Sequence, residues 1–218
     1  MPDLSQTSPA AFPLQGGLVL NKSTFAMQPG EAQELINFEP DIDGGYRRIN
    51  GFTKYNTNIV PITSASTEEV LLSCIFNDTI VAARGTKIFT AAAGSGSWTE
   101  RDSGRTSAGV YTFERFNFDG NNKLIVADGN NAPTVFNTSF AATDVSSAGS
   151  GEVSTAVTGA KFVAVFKDHM FYAGMSSTPQ EVVFSVPFDE DDFATGSGAG
   201  SFKVDDTITG LKVFRENL

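Results

Sequence analysis

The 218 residues contain one histidine, His169, and one cysteine, Cys74, so few nucleophile and base pairings are open to the chain. A Ser-His-Asp arrangement would have to use His169. That residue ends Lys167-Asp168-His169, a polar triplet between two apolar runs, and it reads as an exposed hairpin turn rather than a catalytic base. Cys74 lies inside an apolar run and reads as a small core residue rather than a nucleophile. A single cysteine excludes an intramolecular disulfide framework and multi-cysteine zinc sites, and a single histidine excludes paired-histidine metal motifs. The densest carboxylate run is Phe188-Asp189-Glu190-Asp191-Asp192-Phe193. Calcium wants several such oxygens, but the alternating ligand spacing and distal Glu of an EF-hand are missing, so the run is expected to be a solvated loop. Asp41-Ile42-Asp43-Gly44 raises the same question and takes the same answer. The glycine-rich stretches 94–98 and 196–200 complete neither G-x-G-x-x-G nor a P-loop, and there is no G-x-S-x-G elbow. No catalytic residue, metal or cofactor is expected, and the chain is not expected to be an enzyme.

The elements that would position any site are short. Apolar residues make up 40% of the chain, yet their runs are broken every few residues by Gly, Asn, Asp or Ser. That punctuation predicts an all-β protein of short strands and tight turns. Only residues 30–38, behind Pro29 and with an acidic first turn, read as one or two helical turns. Lys and Arg number 15 against 25 Asp and Glu, a net charge of −10, which argues against a surface built to grip phosphates. The first residues lack the basic start and apolar stretch of a signal peptide, and no run approaches the ~18 apolar residues of a membrane span. Synthesis in a reducing cytoplasm without membrane insertion is expected.

A repeat carries the most information. Phe76, Phe118, Phe166 and Phe214 lie 42, 48 and 48 residues apart, each followed by a polar turn and, in the first three copies, by an apolar run ending in Ala83, Ala127 or Ala173 with Gly close behind. The Phe-to-Ala spacing is seven, nine and seven, so the second turn, Asp119-Gly120-Asn121-Asn122, is expected to hold two extra residues. First strands are predicted at 70–76, 111–118, 162–166 and 211–214, second strands at 79–83, 123–127 and 170–173, and third strands at 87–90, 134–137 and 182–185. A period of 40–50 residues with three or four strands per unit points to β-propeller-like blades. The blades are expected near 61–105, 106–158 and 159–206, with a partial fourth at 207–218. A β-sandwich is the alternative, but it does not predict recurrence of one hairpin. Closed propellers need about four to eight blades. Three and a fraction imply a segment of a longer polypeptide or a sheet completed by another chain.

Residues 1–60 differ and read as an irregular amino-terminal arm. Gly-Gly pairs at 16–17 and 44–45 mark sharp turns, and Tyr46-Arg47-Arg48-Ile49 alternates like a short strand. Tyr46, Arg47 and Arg48 are the candidate interface residues, with a basic pair in an acidic chain. The arm's PGEAQELINFEPDIDGGYRRING (29–51), the repeats after it, and VVFSVPFDEDDF (182–193) with ITGLKVFRENL (208–218) resemble the tail-nozzle, or tail tubular protein B, group of short-tailed bacteriophages. The resemblance implies a structural virion protein: a ring subunit, usually one of six, contacting neighbouring tail and adaptor proteins around the DNA exit channel. DNA would pass without specific binding, and an acidic wall would help it slide by repelling phosphates. The alternative is a propeller-based tail protein that binds or degrades glycans.

Overall fold

The computed structural model describes residues 16–42, 45–64, 68–118, 120–145, 153, 155–215 and 218. Asp43, Gly44 and Asp119, which belong to predicted turns, lie outside them. The chain is all-β and divides into two compact units, Met1–Thr53 and Lys54–Leu218. The expected boundary was 60. Residues 54–60 instead bond within the second unit: the Tyr55 carbonyl accepts from the Gly94 amide, and the Val60 carbonyl accepts from Arg84 Nη1 at 2.6 Å.

The first unit holds two small sheets. Strand β1 (Gly17–Leu18) pairs in parallel with β2 (Glu31–Ala32), and β3 (Phe38–Pro40) pairs antiparallel with β4 (Tyr46–Arg48). The helix predicted over 30–38 does not form. Gly30 sits at φ 90°, and the Glu31 carboxylate turns back to accept from the Gln28 amide and Lys22 Nζ. A helix that short is marginal without a core to pack on, and none of the described residues of this unit is buried.

The second unit holds three antiparallel four-stranded sheets, each formed by consecutive strands in sequence order. The first is β5 (Val70–Phe76), β6 (Thr79–Arg84), β7 (Lys87–Ala92) and β8 (Thr99–Ser103). The second is β9 (Thr112–Phe118), β10 (Asn121–Ala127), β11 (Thr134–Phe136) and β12 (Ala142–Asp144). The third is β13 (Phe162–Phe166), β14 (His169–Ala173), β15 (Glu181–Phe184) and β16 (Gly200–Lys203). The predicted first, second and third strands of these sheets all form. Residues 211–214 do not form the predicted strand, and only Phe214 makes an isolated bridge.

The three hairpins share a turn length. Phe76 pairs with Thr79, Phe118 with Asn121, and Phe166 with His169, leaving two residues in every loop. Asn77 and Asp78, like Lys167 and Asp168, both have positive φ. Those are the backbone angles of a type I′ turn, whose twist matches the strands it joins. The two extra residues of the second repeat are therefore not in its turn. They lengthen the hairpin, so that Phe116, four residues past the partner of Ala127, takes the place of Phe76 and Phe166. Phe118 is one pleat further on the same face, with its ring 5.0 Å from that of Phe116.

The second sheet is buried on both faces because its middle strand β10 alternates apolar side chains to either side. Leu124 and Val126 face a core shared with Leu72, Cys74, Val81 and Ala83 of the first sheet. Ile125 and Ala127 face a core shared with Val163, Met170, Tyr172 and Val183 of the third. Beyond the third sheet, Phe171, Ala173 and Val182 form a thinner layer against Ile208 and Leu211. Ala83, Ala127 and Ala173 are all inaccessible to solvent, each on the face turned toward the next sheet or, for Ala173, toward residues 208 and 211. Larger side chains there would hold the layers apart.

Candidate functional site

The densest charge cluster lies at the seam between the first and second sheets, around Arg105. The segment after β8 carries Arg105 beneath both sheets, where it is buried. It donates from Nε to Asp102 Oδ2 at 2.6 Å, from Nη1 to Asp128 Oδ2 at 3.3 Å and the Ala132 carbonyl at 2.7 Å, and from Nη2 to Asp144 Oδ1 at 3.3 Å. Thr134 Oγ1 lies 3.2 Å from Asp102 Oδ2 and 3.1 Å from Asp144 Oδ1, with one proton to donate to either. Asp128 follows Ala127, and its carboxylate accepts from the Asn130 and Asn131 amides and the Asn131 side chain. Burial works against the Asp128 charge, yet these hydrogen bonds and Arg105 outweigh it and hold the carboxyl below its ordinary value. Burial likewise opposes the Arg105 charge, and the three aspartates more than restore it. Tyr111 stands near them with its hydroxyl buried and without a partner among the described residues; burial, then Asp128, pushes it up to about 12. The guanidinium is thus answered by carboxylates and a carbonyl from both sheets. The cluster is a clamp between sheets, with its acids committed to Arg105 rather than paired across a cleft.

Sequence reasoning missed Arg105 and Asp128. The available signal was Asp128-Gly129-Asn130-Asn131, a turn signature in which the Asp side chain bonds the backbone two and three residues on. Nothing local marks Arg105, whose partners come from 3 to 39 residues away.

A groove of 680 Å³ runs along the first strands, lined by Phe113, Glu114 and Arg115 of β9, 162–165 of β13, and 211–213. Its charged side chains are Glu114, Arg115 and Lys212.

The predicted interface residues lie together on β4. Tyr46 donates to the Gly30 carbonyl at 2.9 Å and meets Phe38 edge-on at 5.6 Å, and Arg47 pairs with Glu39 at 3.0 Å. Arg48 is exposed. Two of the three side chains therefore hold the arm's own strands together.

The remaining candidates sit differently from expectation. His169 is not in a turn: it opens β14, half-buried, with Nδ1 2.6 Å from the Ser185 carbonyl and its ring against Phe171 and Phe184. The acidic run is not a uniformly solvated loop. Glu190 is buried, paired with Lys123 at 2.5 Å, and its carbonyl accepts from the Tyr172 hydroxyl at 2.7 Å. Asp189 and Asp192 accept backbone amides within the run. Cys74 is buried as predicted, and burial raises its thiol to about 11. Among the described residues no cluster of three or more metal-ligating side chains occurs, and no helix is long and apolar enough to cross a membrane.

In comparison with known proteins, the sequence matches no family model and no curated protein.

Proposed function

We propose that this chain is a structural subunit of a short-tailed phage tail, a nozzle-type ring component built from β-propeller-like blades. One observation carries the reading: three consecutive four-stranded antiparallel sheets recur with the same two-residue hairpin and the same buried Ala, each stacked face to face on the next. A blade is such a sheet, and stacking blades through both faces is what builds a propeller. The resemblance of residues 29–51 and of the repeats to nozzle proteins supplies the functional half of the reading. In that role copies of the chain associate in a ring, contact neighbouring tail and adaptor proteins, and enclose the path of DNA in the virion without gripping it. The net charge of −10 is compatible with such a path.

The test is electron microscopy of the purified chain, with light scattering for mass. Closed rings with a central opening are expected. A stable monomer that cleaves or tightly binds a polysaccharide would replace this reading with the glycan-directed alternative.

A further inference from the structure

An asparagine side chain can react with its own backbone. The amide nitrogen of the next residue attacks the side-chain carbonyl carbon, ammonia leaves, and a cyclic imide closes. Glycine as the next residue favours the reaction, because no Cβ hinders the approach. So does a backbone free to bring the two atoms together, with neither group held in another hydrogen bond. The sequence holds a single Asn-Gly pair, Asn50-Gly51.

Both residues are exposed, and 49–54 lie outside every strand and turn. Among the described residues neither Asn50 nor Gly51 has a hydrogen-bond partner. A Cβ built on Gly51 would meet nothing within 4 Å, and its φ is not positive, so the fold itself makes no demand for glycine here. Elsewhere the same chemistry is blocked. Asp128-Gly129 offers the equivalent aspartyl route, but the Gly129 amide donates to the Ala160 carbonyl at 2.9 Å. The Asp128 carboxylate is buried and bonded to Arg105 and Asn131. Asn77 donates to the Thr138 carbonyl at 3.1 Å, and Asn137 Oδ1 accepts the Ser139 and Ala141 amides.

We propose that Asn50 is a site of spontaneous deamidation, through which the arm changes its charge and its backbone with age. The Gly51 amide gives its proton to solvent base, its nitrogen bonds to Asn50 Cγ, and the Cγ–Nδ2 bond breaks as ammonia departs. Water then opens the imide at either carbonyl. Opening at Cγ yields aspartate, and opening at the main-chain carbonyl yields isoaspartate. Either product adds a carboxylate to a chain of net charge −10, two residues after the exposed Arg48. Isoaspartate also routes the main chain through Cβ, which lengthens by one carbon the path from β4 to the second unit, beginning at Lys54. The inference stands apart from the ring reading.

The experiment incubates the full chain at mildly alkaline pH, native and in guanidinium, and digests it with trypsin. Cleavage after Arg48 and Lys54 releases 49–54. Mass spectrometry of that peptide reads the exchange of amide for acid, and isoaspartyl methyltransferase labels the isomer. Asn50 should convert before any other asparagine. Its native rate should lie within about threefold of the unfolded rate, as for a segment with no cost of opening. Gly51→Ala should keep the wild-type Tm, since its Cβ enters open space. It should slow conversion about tenfold or more by crowding the attacking nitrogen. Asn50→Gln should leave 49–54 unchanged in mass over the same period. Native conversion more than about tenfold slower than in guanidinium would mean that the segment is held closed, and would overturn the proposal. Wild-type rates in Gly51→Ala would overturn it too, as would conversion of Asn77 or Asn137 alongside Asn50 in the native chain.

Discussion

Truncating Arg105 to alanine tests whether the sheets are locked at a polar clamp as well as by apolar stacking. The substitution leaves Asp128, which has no solvent exposure, without its counter-ion. Removing one partner of a buried pair costs about 3–5 kcal/mol, chiefly because the other charge stays buried. Two features place this case at the lower end. Asp128 keeps three hydrogen bonds from Asn130 and Asn131. The Asp144 carboxylate is 67% exposed and returns to water, so its pair contributes no more than about 1 kcal/mol. The expected loss is about 3 kcal/mol, or roughly 6–12 °C in Tm for a unit of this size. Urea and thermal unfolding of Arg105→Ala, Asp128→Asn and the double variant would measure it. The double should cost less than the sum of the singles by about 1–3 kcal/mol, because both changes break one network. Asp144→Ala should cost under about 1 kcal/mol. If Arg105→Ala cost less than about 1 kcal/mol, well below the range for a broken buried pair, or Asp144→Ala matched Asp128→Asn, the clamp would not be holding the sheets.

Acid should weaken the fold through the same group. The folded-state carboxyl of Asp128 titrates below its ordinary value, so its contribution is present above about pH 4, the unfolded range, and is lost as pH falls through the folded value. Tm measured from mildly acidic to strongly acidic pH should drop more steeply in wild type than in Asp128→Asn; parallel curves would refute this. Ala127→Leu should cost about 1–3 kcal/mol by overpacking the seam between the second and third sheets, and a neutral result in urea unfolding would show that the seam has room. Cys74, buried with its thiol at about 11, should resist Ellman's reagent at about pH 8 and react fully in guanidinium, since the thiolate is the nucleophile. Rapid labelling of the native chain would contradict its place in the core.

Much of the blade pattern was legible because strand and turn signals are local. The runs over 70–76, 79–83 and 162–166 alternate or cluster apolar residues, and the dipeptides 77–78 and 167–168 separate them. The outermost strands β8, β12 and β16 were not legible: Thr99–Ser103 is polar and Ala142–Asp144 has no buried residue, so neither bears the imprint of a core. They form by pairing with a strand already placed. The two-residue offset at Ala127 was visible, but its location was not. Adding a pleat to both strands keeps every side chain on its face, whereas lengthening the turn was the simpler reading of spacing alone.

What the residues determined unaided was the class of element and its recurrence, since backbone preference at Asn77-Asp78 or Lys167-Asp168 acts over two residues. What tertiary structure decided was which charges became neighbours and which acids left water. Arg105, Asp102, Asp128 and Asp144 meet because two sheets stack. Glu190 is buried because the loop bearing it folds down onto Lys123 and Tyr172. In the arm the order reverses: its helical signal at 30–38 fails because no packed surface within its own unit supports a helix. A short helix takes its stability from burial, and burial belongs to the assembled molecule rather than to any stretch of sequence.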